Sequence, residues 1–166
     1  YKDKIDKANV YDAALRTPLE KQLNLSKRFN NNILLKREDL QPVFSFKIRG
    51  AYNKMKNLSD ENLLNGVIAC SAGNHAQGVA LAAKILECNA TIVMPKTTPF
   101  IKINAVESHG AKVVLHGETL HECFDHAVDI QKKQGSIFVH PFDDPEVIAG
   151  QGTIAKEILE DYSRPI

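Results

Sequence analysis

From Asn65 onward, short runs rich in β-branched residues alternate with longer segments of helical periodicity. The predicted strands are 67–70, 91–94, 112–115 and 136–139, and the predicted helices between them are 76–86, 100–108 and 120–130. This alternation is typical of βαβ units, in which a helix connects two parallel strands. The chain is therefore predicted to have an α/β fold in which helices flank a parallel sheet.

The first third of the chain carries weaker signals. Residues 33–36 are predicted as another short strand, and residues 47–55 as the beginning of a helix. With 166 residues, 43% of them apolar, the chain has enough material for one core of ordinary single-domain size. No internal repeat or low-complexity linker divides it.

The charges are nearly balanced and are scattered along the chain. The 21 basic and 20 acidic residues leave a formal net charge of +1, and aromatic residues make up only 7%. Such a chain offers no basic tract or stacking platform for nucleic acid, and no broad attraction for an anionic membrane. The predicted partner is a small molecule, and neither nucleic acid nor a membrane is expected to bind.

The three cysteines, Cys70, Cys88 and Cys123, are far apart and include no CxxC pair. This spacing predicts neither a disulfide framework nor a zinc site, and it fits a reducing compartment. No apolar run approaches the roughly 20 residues that cross a bilayer, and residues 1–6 do not resemble a signal peptide. We therefore expect a cytoplasmic protein without a bound metal.

The most informative loop follows the predicted strand 67–70. In an open parallel sheet, ligands bind beyond the carboxyl ends of the strands, where loops lead into helices. Small and polar residues fill this loop, namely Ser71, Ala72, Gly73, Asn74 and His75. Unpaired backbone amides of a helix that begins there would converge on one point and bind an anion. The alternative is an ordinary capping turn, which favours the same residue types.

Lys47 differs from the other lysines in its neighbours. Residues 43–51 read VFSFKIRGA, so the lysine follows two phenylalanines and lies among β-branched residues, with Arg49 two positions on. Burial and a nearby like charge both disfavour the protonated amine, and both would lower its pKa from about 10.4. Lysines that form Schiff bases are activated in this way. The alternative is a structural lysine whose ammonium reaches water past the aromatic rings.

Two further motifs give weaker indications of chemistry. The segment HECFDH at 121–126 differs from a helical HExxH zinc site, because its second histidine comes one residue late and the two imidazoles do not share a face. Residues 150–155, GQGTIA, fit the GxGxxA dinucleotide fingerprint, although no strand is predicted directly before them. A nicotinamide-dependent oxidoreductase therefore stays open as an alternative, as does a binding module without catalytic activity.

Three ordered motifs connect these signals. They are KREDLQP at 36–42 with SFKIRGA at 45–51, SAGNHAQGVA at 71–80, and IAGQGT at 148–153. Together they resemble the threonine dehydratases, fold type II enzymes that use pyridoxal 5'-phosphate (PLP), over about residues 16–160. The resemblance implies a dehydratase (ammonia-lyase) that converts L-threonine to 2-oxobutyrate and ammonia, and L-serine to pyruvate. It also implies a homo-oligomer with a role in amino-acid metabolism, such as isoleucine biosynthesis.

The same resemblance implies roles for individual residues. Lys47 would carry PLP as a Schiff base and then take the α-proton of the substrate. Phe46 and Asn74 would contact the cofactor. The loop from Ser71 to His75 would receive the substrate carboxylate.

Within the fold type II enzymes, two features distinguish the branches. Branches with other reactions tend to carry K-D-R at the lysine, whereas this chain reads K-I-R at 47–49 and has His75 in the loop. These residues favour the dehydratase and serine racemase branch. A racemase stays an alternative, but Ala72 replaces the serine hydroxyl that racemase relatives tend to place there as a proton donor.

The resemblance also predicts the domain organisation. Residues 1–50 and 153–166 would be parts of a larger PLP-binding α/β domain, and residues 51–152 would be a nearly complete, small Rossmann-like domain. The family's glycine-rich phosphate loop would lie beyond Ile166. The chain starts at Tyr1 without methionine and ends just after a charged helical stretch, so we expect an N-terminal fragment of a longer protein.

Overall fold

The computed structural model describes residues 1–163. Within them, the helices are α1 (Lys2–Lys7), α2 (Leu23–Phe29), α3 (Lys47–Lys56), α4 (Asp60–Leu64), α5 (Asn74–Ile85), α6 (Phe100–Glu107), α7 (Leu120–Gln134) and α8 (Pro145–Asp161). The strands are β1 (Leu19–Lys21), β2 (Leu34–Lys36), β3 (Val67–Cys70), β4 (Ala90–Met94), β5 (Lys112–Leu115) and β6 (Ile137–Phe138). None of the helices in this part of the chain is long and apolar enough to cross a membrane.

Strands β3 to β6 form a four-stranded parallel sheet in the order β5-β4-β3-β6. All four residues of β3 are buried, as expected for a parallel strand that is covered on both faces. Val67 and Ala69 pack with residues of α3 and α5, whereas Ile68 and Cys70 pack with residues of α7. The predicted α/β fold, with a parallel sheet flanked by helices, is confirmed.

β6 is shorter than the predicted strand 136–139. The Val139 amide still donates to the Ile68 carbonyl at 2.8 Å, which extends the main-chain pairing with β3 by one bond. The carbonyl of Val139 accepts from the side chain of His75 at 2.9 Å. The other three predicted strands agree with β3, β4 and β5 within one residue.

The N-terminal region forms a separate two-stranded sheet, in which β1 and β2 pair antiparallel with Leu19 opposite Lys36. The predicted strand 33–36 is thus present as β2, but the sequence pattern gave no prediction for α1, β1, α2 or α4. These elements have three to seven residues, too few to establish a period. Packing against the rest of the chain, and not intrinsic propensity, stabilises such short helices.

Glycines let three helices approach each other closely. A Cβ atom on Gly150 of α8 would lie 2.5 Å from the Arg49 carbonyl oxygen of α3. A Cβ atom on Gly78 of α5 would lie 3.1 Å from the Lys47 carbonyl oxygen, also in α3. Larger residues at these positions would push the helices apart. The beginning of α3, which carries Lys47, is therefore fixed from both sides.

The dinucleotide-binding hypothesis is wrong, because its glycines lie in a helix and pack against other helices. Gly150 and Gly152 lie inside α8, which begins at Pro145, and not in a turn between a strand and a helix. Gly150 faces α3, and a Cβ atom on Gly152 would meet the Ile5 side chain at 2.5 Å. Both glycines serve helix packing, so they form no loop that could hold a pyrophosphate.

Candidate active site

The loops that follow β3 and β6 lie at one edge of the parallel sheet, because the two strands are neighbours and run in the same direction. Lys47 begins α3 and reaches this edge with its side chain. Its Nζ donates to the Pro141 carbonyl oxygen at 2.6 Å, in the segment that follows β6. The fold thus brings the predicted lysine to the carboxyl ends of the strands.

The Lys47 amine is half-buried, and no carboxylate pairs with it within residues 1–163. Its Nζ lies 5.4 Å from the centre of the Phe46 ring, which is within the range of a cation–π contact. Burial lowers the pKa of Lys47 below its ordinary value of 10.5. The amine therefore loses its proton more readily than a lysine in water, as a nucleophile or a base requires.

The charge of Arg49 was also predicted to lower the pKa of Lys47, and this prediction was wrong. Two positions along a helix point in nearly opposite directions, and Arg49 is completely buried. Its guanidinium pairs with Glu38 at 2.8 Å and also with Glu157. Two carboxylates neutralise this cation, so it does not repel the Lys47 amine.

The turn before α3 contains a strained residue. Phe44 has a φ angle of +55°, a left-handed conformation that bulky residues rarely adopt. Its amide donates to the Gln41 carbonyl at 2.8 Å, and the buried Ser45 hydroxyl accepts from the Lys47 amide at 3.3 Å. Such strain persists only where neighbouring contacts impose it. This turn determines where α3, and therefore Lys47, begins.

The loop from Ser71 to His75 connects β3 to the start of α5. The Ser71 hydroxyl accepts from the Gly73 amide at 3.2 Å, and no side chain caps α5. The first amides of this 12-residue helix have no acceptor within the helix, so they are directed toward the loop. Asn74 is exposed there, while Ser71, Ala72 and Gly73 are half-buried. The loop is suited to hold a carboxylate or another small anion.

His75 differs from the rest of the loop, because its side chain is buried in the protein. It is 3% exposed, and its Nε2 lies 2.9 Å from the Val139 carbonyl oxygen. Burial lowers the pKa of His75 to about 4, so the imidazole is neutral near pH 7. The backbone amide of His75 can still face a ligand in the loop, but its imidazole is engaged elsewhere.

Two backbone carbonyls that no sequence pattern predicted complete this edge. Val139 accepts from His75 and Pro141 accepts from Lys47, so the segment 139–141 contacts both the loop and the lysine. The His140 ring between them accepts from the Asp143 amide at 2.7 Å and thereby closes the turn. Carbonyls carry no residue identity, so the only signal in the sequence was their position after a predicted strand.

The histidines of α7 do not converge on one point. His121 is exposed and lies 3.7 Å from Asp125, while His126 stacks on His116 with ring centres 3.8 Å apart. Among the described residues, no three His, Cys, Asp or Glu side chains are grouped as metal ligands. The segment 121–126 is part of a helix that packs on the sheet through Cys123.

The chain is similar to several known proteins. The chain is 54% identical to the biosynthetic L-threonine dehydratase of Burkholderia multivorans, over 100% of this chain and 33% of that protein. The processed form of threonine deaminase isoform 2 from Solanum lycopersicum superposes with a TM-score of 0.93 at 55% identity, over 96% of this chain and 44% of that one. Maize serine racemase superposes with a TM-score of 0.94 at 32% identity, over 98% of this chain and 50% of that one.

The chain spans a third of the length of the Burkholderia relative and about half of the two solved chains. The profile of one enzyme family, described as pyridoxal-phosphate dependent enzymes, matches residues 10–166. This match covers nearly the whole chain and includes both the lysine and the loop. The chain therefore belongs to the pyridoxal-phosphate dependent enzymes.

Proposed function

We propose that the intact protein is a PLP-dependent dehydratase that converts L-threonine to 2-oxobutyrate and ammonia, and L-serine to pyruvate and ammonia. The observation that carries the proposal is the Lys47 amine, which is half-buried, lacks a carboxylate partner within residues 1–163, and lies at the same sheet edge as the first amides of α5, which have no acceptor within the helix. Identities of 54% and 55% with a threonine dehydratase and a threonine deaminase support this choice of reaction.

The residues at this edge fit PLP. The cofactor requires a lysine amine that loses its proton readily, and burial lowers the pKa of Lys47. We assign Lys47 to the covalent bond with the cofactor. We assign Phe46, which is 39% exposed at the start of α3, and the exposed Asn74 to contacts with its ring. When bound, PLP supplies the electron sink for charge that develops on the substrate.

Lys47 is proposed to move the α-proton of the substrate. The lowered pKa keeps a larger share of the amine neutral near pH 7, and only a neutral amine accepts a proton. The Pro141 carbonyl, 2.6 Å from Nζ, orients the amine and stabilises the ammonium that results. Loss of the α-proton and of the β-hydroxyl as water, followed by hydrolysis, yields the 2-oxo acid and ammonia.

The loop 71–75 is proposed to hold the substrate carboxylate. Free amides and the positive end of the α5 dipole both favour an anion at this position. A carboxylate held there keeps the α-carbon of the substrate at a constant distance from the Lys47 amine. Holding two reacting groups in this way supplies a large part of the rate of such reactions.

Other properties of the whole protein stay predictions. The proposed division between 1–50 with 153–166 and 51–152 places its two boundaries inside α3 and α8, which pack on each other. A phosphate-binding glycine loop is expected beyond residue 166. Assembly into a homo-oligomer and a location in the cytoplasm are likewise proposed.

A product assay on the intact natural protein tests this function. After PLP is removed and then added back, we expect 2-oxobutyrate from L-threonine and pyruvate from L-serine only when the cofactor is present. D-threonine serves as the control substrate. A protein that binds PLP but releases no 2-oxo acid from either L-amino acid would contradict the proposal.

A further inference from the structure

His75 and Lys47 reach the same short segment, 139–141, from two different helices. His75 lies in the first turn of α5, and its Nε2 is 2.9 Å from the Val139 carbonyl oxygen. Lys47 begins α3, and its Nζ is 2.6 Å from the Pro141 carbonyl oxygen. The two acceptors are separated by one residue, so a displacement of this segment moves both.

The hydrogen-bond partners determine which nitrogen of His75 carries the proton. A carbonyl only accepts, so the nitrogen that faces Val139, Nε2, must be the donor. Nδ1 is buried and has no hydrogen-bond partner among the described residues. Leaving an N–H unpaired there would cost free energy, and a charged ring would leave one unpaired in addition to burying a charge. His75 is thus a neutral donor with a fixed tautomer.

We propose that His75 is a positioning residue, whose Nε2–H bond to the Val139 carbonyl fixes the loop 71–75 relative to the segment 139–141 and thereby sets the distance between the Lys47 amine and the loop amides. The bond lies just beyond the last main-chain contact between the two strands, Val139 amide to Ile68 carbonyl. Among the described residues, no main-chain hydrogen bond joins the two chains beyond this point, and the His75 side chain joins them instead.

The consequence for catalysis follows from what each part holds. The loop offers amides to an anion, and the segment 139–141 orients the lysine amine. Without the imidazole bond, each part is free to move alone, and the amine loses its carbonyl partner. The kinetic consequence rests on the proposed dehydratase function, whereas the effect on the Lys47 amine does not.

Two substitutions of His75 distinguish loss of the hydrogen bond to Val139 from loss of the imidazole ring. In His75→Gln, the amide nitrogen occupies nearly the position of Nε2 and can still donate to Val139. In His75→Asn, the shorter side chain places its amide near the position of Nδ1 and does not reach that carbonyl. His121→Gln, at an exposed histidine of α7, is the control for loss of an imidazole.

The first measurement is the pKa of Lys47 in the intact, cofactor-free protein. The rate of acylation of Lys47 by an amine-reactive ester is followed against pH, with the modified peptide identified by mass spectrometry. We expect this pKa to rise by about one unit in His75→Asn, because the amine becomes more hydrated, and to stay unchanged in His75→Gln and His121→Gln. Long-range ¹H–¹⁵N spectra of the natural protein should show a proton on Nε2 and none on Nδ1 of His75.

The second measurement is the kinetics of the PLP-loaded protein with L-threonine. We expect kcat to fall by about 10- to 100-fold in His75→Asn with little change in KM, because the substrate still binds while the amine is misplaced. His75→Gln should restore most of kcat. If the natural protein shows no dehydratase activity, only the proposed function fails, and the Lys47 pKa still tests the positioning role.

Three results would overturn the positioning role. One is a His75→Asn protein that folds and has the Lys47 pKa and kcat of the natural protein. Another, independent of whether that variant folds, is a His75→Gln protein that folds but has lost both properties. The third is a proton on Nδ1 of His75 in the natural protein.

Discussion

Lys47 and Arg49 are two cations on the same turn of α3, but their surroundings differ in burial and in hydrogen-bond partners. The Arg49 guanidinium is completely buried between the carboxylates of Glu38 and Glu157. The Lys47 amine is half-buried and rests on a neutral carbonyl. An amine without a carboxylate can give up its proton, whereas a guanidinium cannot and is suited to a permanent ionic core. Carboxylates within reach, and not sequence neighbours, therefore distinguish a reactive cation from a structural one.

Among the substitutions that test this comparison, we expect the largest effect from the loss of the Lys47 side chain. We expect Lys47→Ala to reduce dehydratase turnover by about 10³-fold or more, because the group that moves the proton is lost. The fold should persist, since the amine makes one hydrogen bond and no ion pair among the described residues. Lys56→Ala, at an exposed position on the same helix, is the matched control. Substantial turnover by Lys47→Ala would show that the reactive amine lies elsewhere.

At the structural cation the expected effect falls on stability. Arg49→Met removes the partner that the buried Glu157 shares with the nearby Glu38 and leaves Glu157 paired with Lys36 at 2.8 Å, which should destabilise the intact protein by about 3–5 kcal/mol in urea unfolding. Adding Glu157→Gln to this variant should recover part of the loss. Arg16→Ala removes two ion pairs at the surface and should change stability far less. Equal effects of Arg49→Met and Arg16→Ala would contradict a buried ionic core.

The pH dependence of stability tests the surroundings of His75, which contacts the same segment, 139–141, as Lys47. The pKa of His75 is about 4 in the folded protein, below its ordinary value of 6.5, so the unfolded chain binds a proton first as the pH falls. The folded protein therefore keeps the full contribution of the neutral imidazole to its stability above pH 6.5. It loses about 3 kcal/mol of unfolding free energy as the pH falls to 4. Unfolding free energies measured over this range should fall less steeply in His75→Gln. Parallel curves for the two proteins would contradict the buried neutral imidazole.

The first turn of α3, which contains Arg49, packs closely against Gly150 of α8. In Gly150→Ala, the added Cβ meets the Arg49 carbonyl, which is backbone and cannot rotate away, so we expect a loss of about 1–3 kcal/mol in unfolding free energy. Gly152→Ala places the same Cβ against the end of the Ile5 side chain, which is able to move. Its effect should be clearly smaller. A larger effect at Gly152 would argue against backbone contact as the cause.

The smallest expected effect concerns the loop that faces the lysine. A methyl group cannot donate a proton, so Ala72 should leave the protein with little racemase activity. Ala72→Ser should raise formation of D-serine from L-serine while elimination continues. The intact natural protein and the variant are compared by chiral analysis of serine during turnover. A natural protein that racemises as fast as it eliminates would contradict this role of Ala72.

Much of the fold followed from local patterns in the sequence. The alternation after Asn65 gave the four parallel strands, and the apolar context of Lys47 indicated a half-buried amine. The contacts that complete the site were not predictable in this way. Lys47 is 94 residues from Pro141, and His75 is 64 residues from Val139. Both acceptors are carbonyls, which every residue possesses.

The errors have a common physical cause. Arg49 was expected to act on its sequence neighbour, but its charge is satisfied by Glu157, 108 residues away. Gly150 and Gly152 matched a loop motif, but tertiary packing places them inside a helix. Sequence patterns report what a segment tends to do locally, whereas charge pairing and helix contact depend on the whole fold.

One measurement tests the assignment of Lys47 as the reactive amine most directly. The intact, PLP-loaded protein is reduced with borohydride, digested, and analysed by mass spectrometry for the lysine that carries a pyridoxyl group. We expect the label on Lys47 and on no other lysine, because burial without a carboxylate partner favours its neutral form. A pyridoxyl group on a different lysine, with Lys47 unmodified, would contradict the assignment.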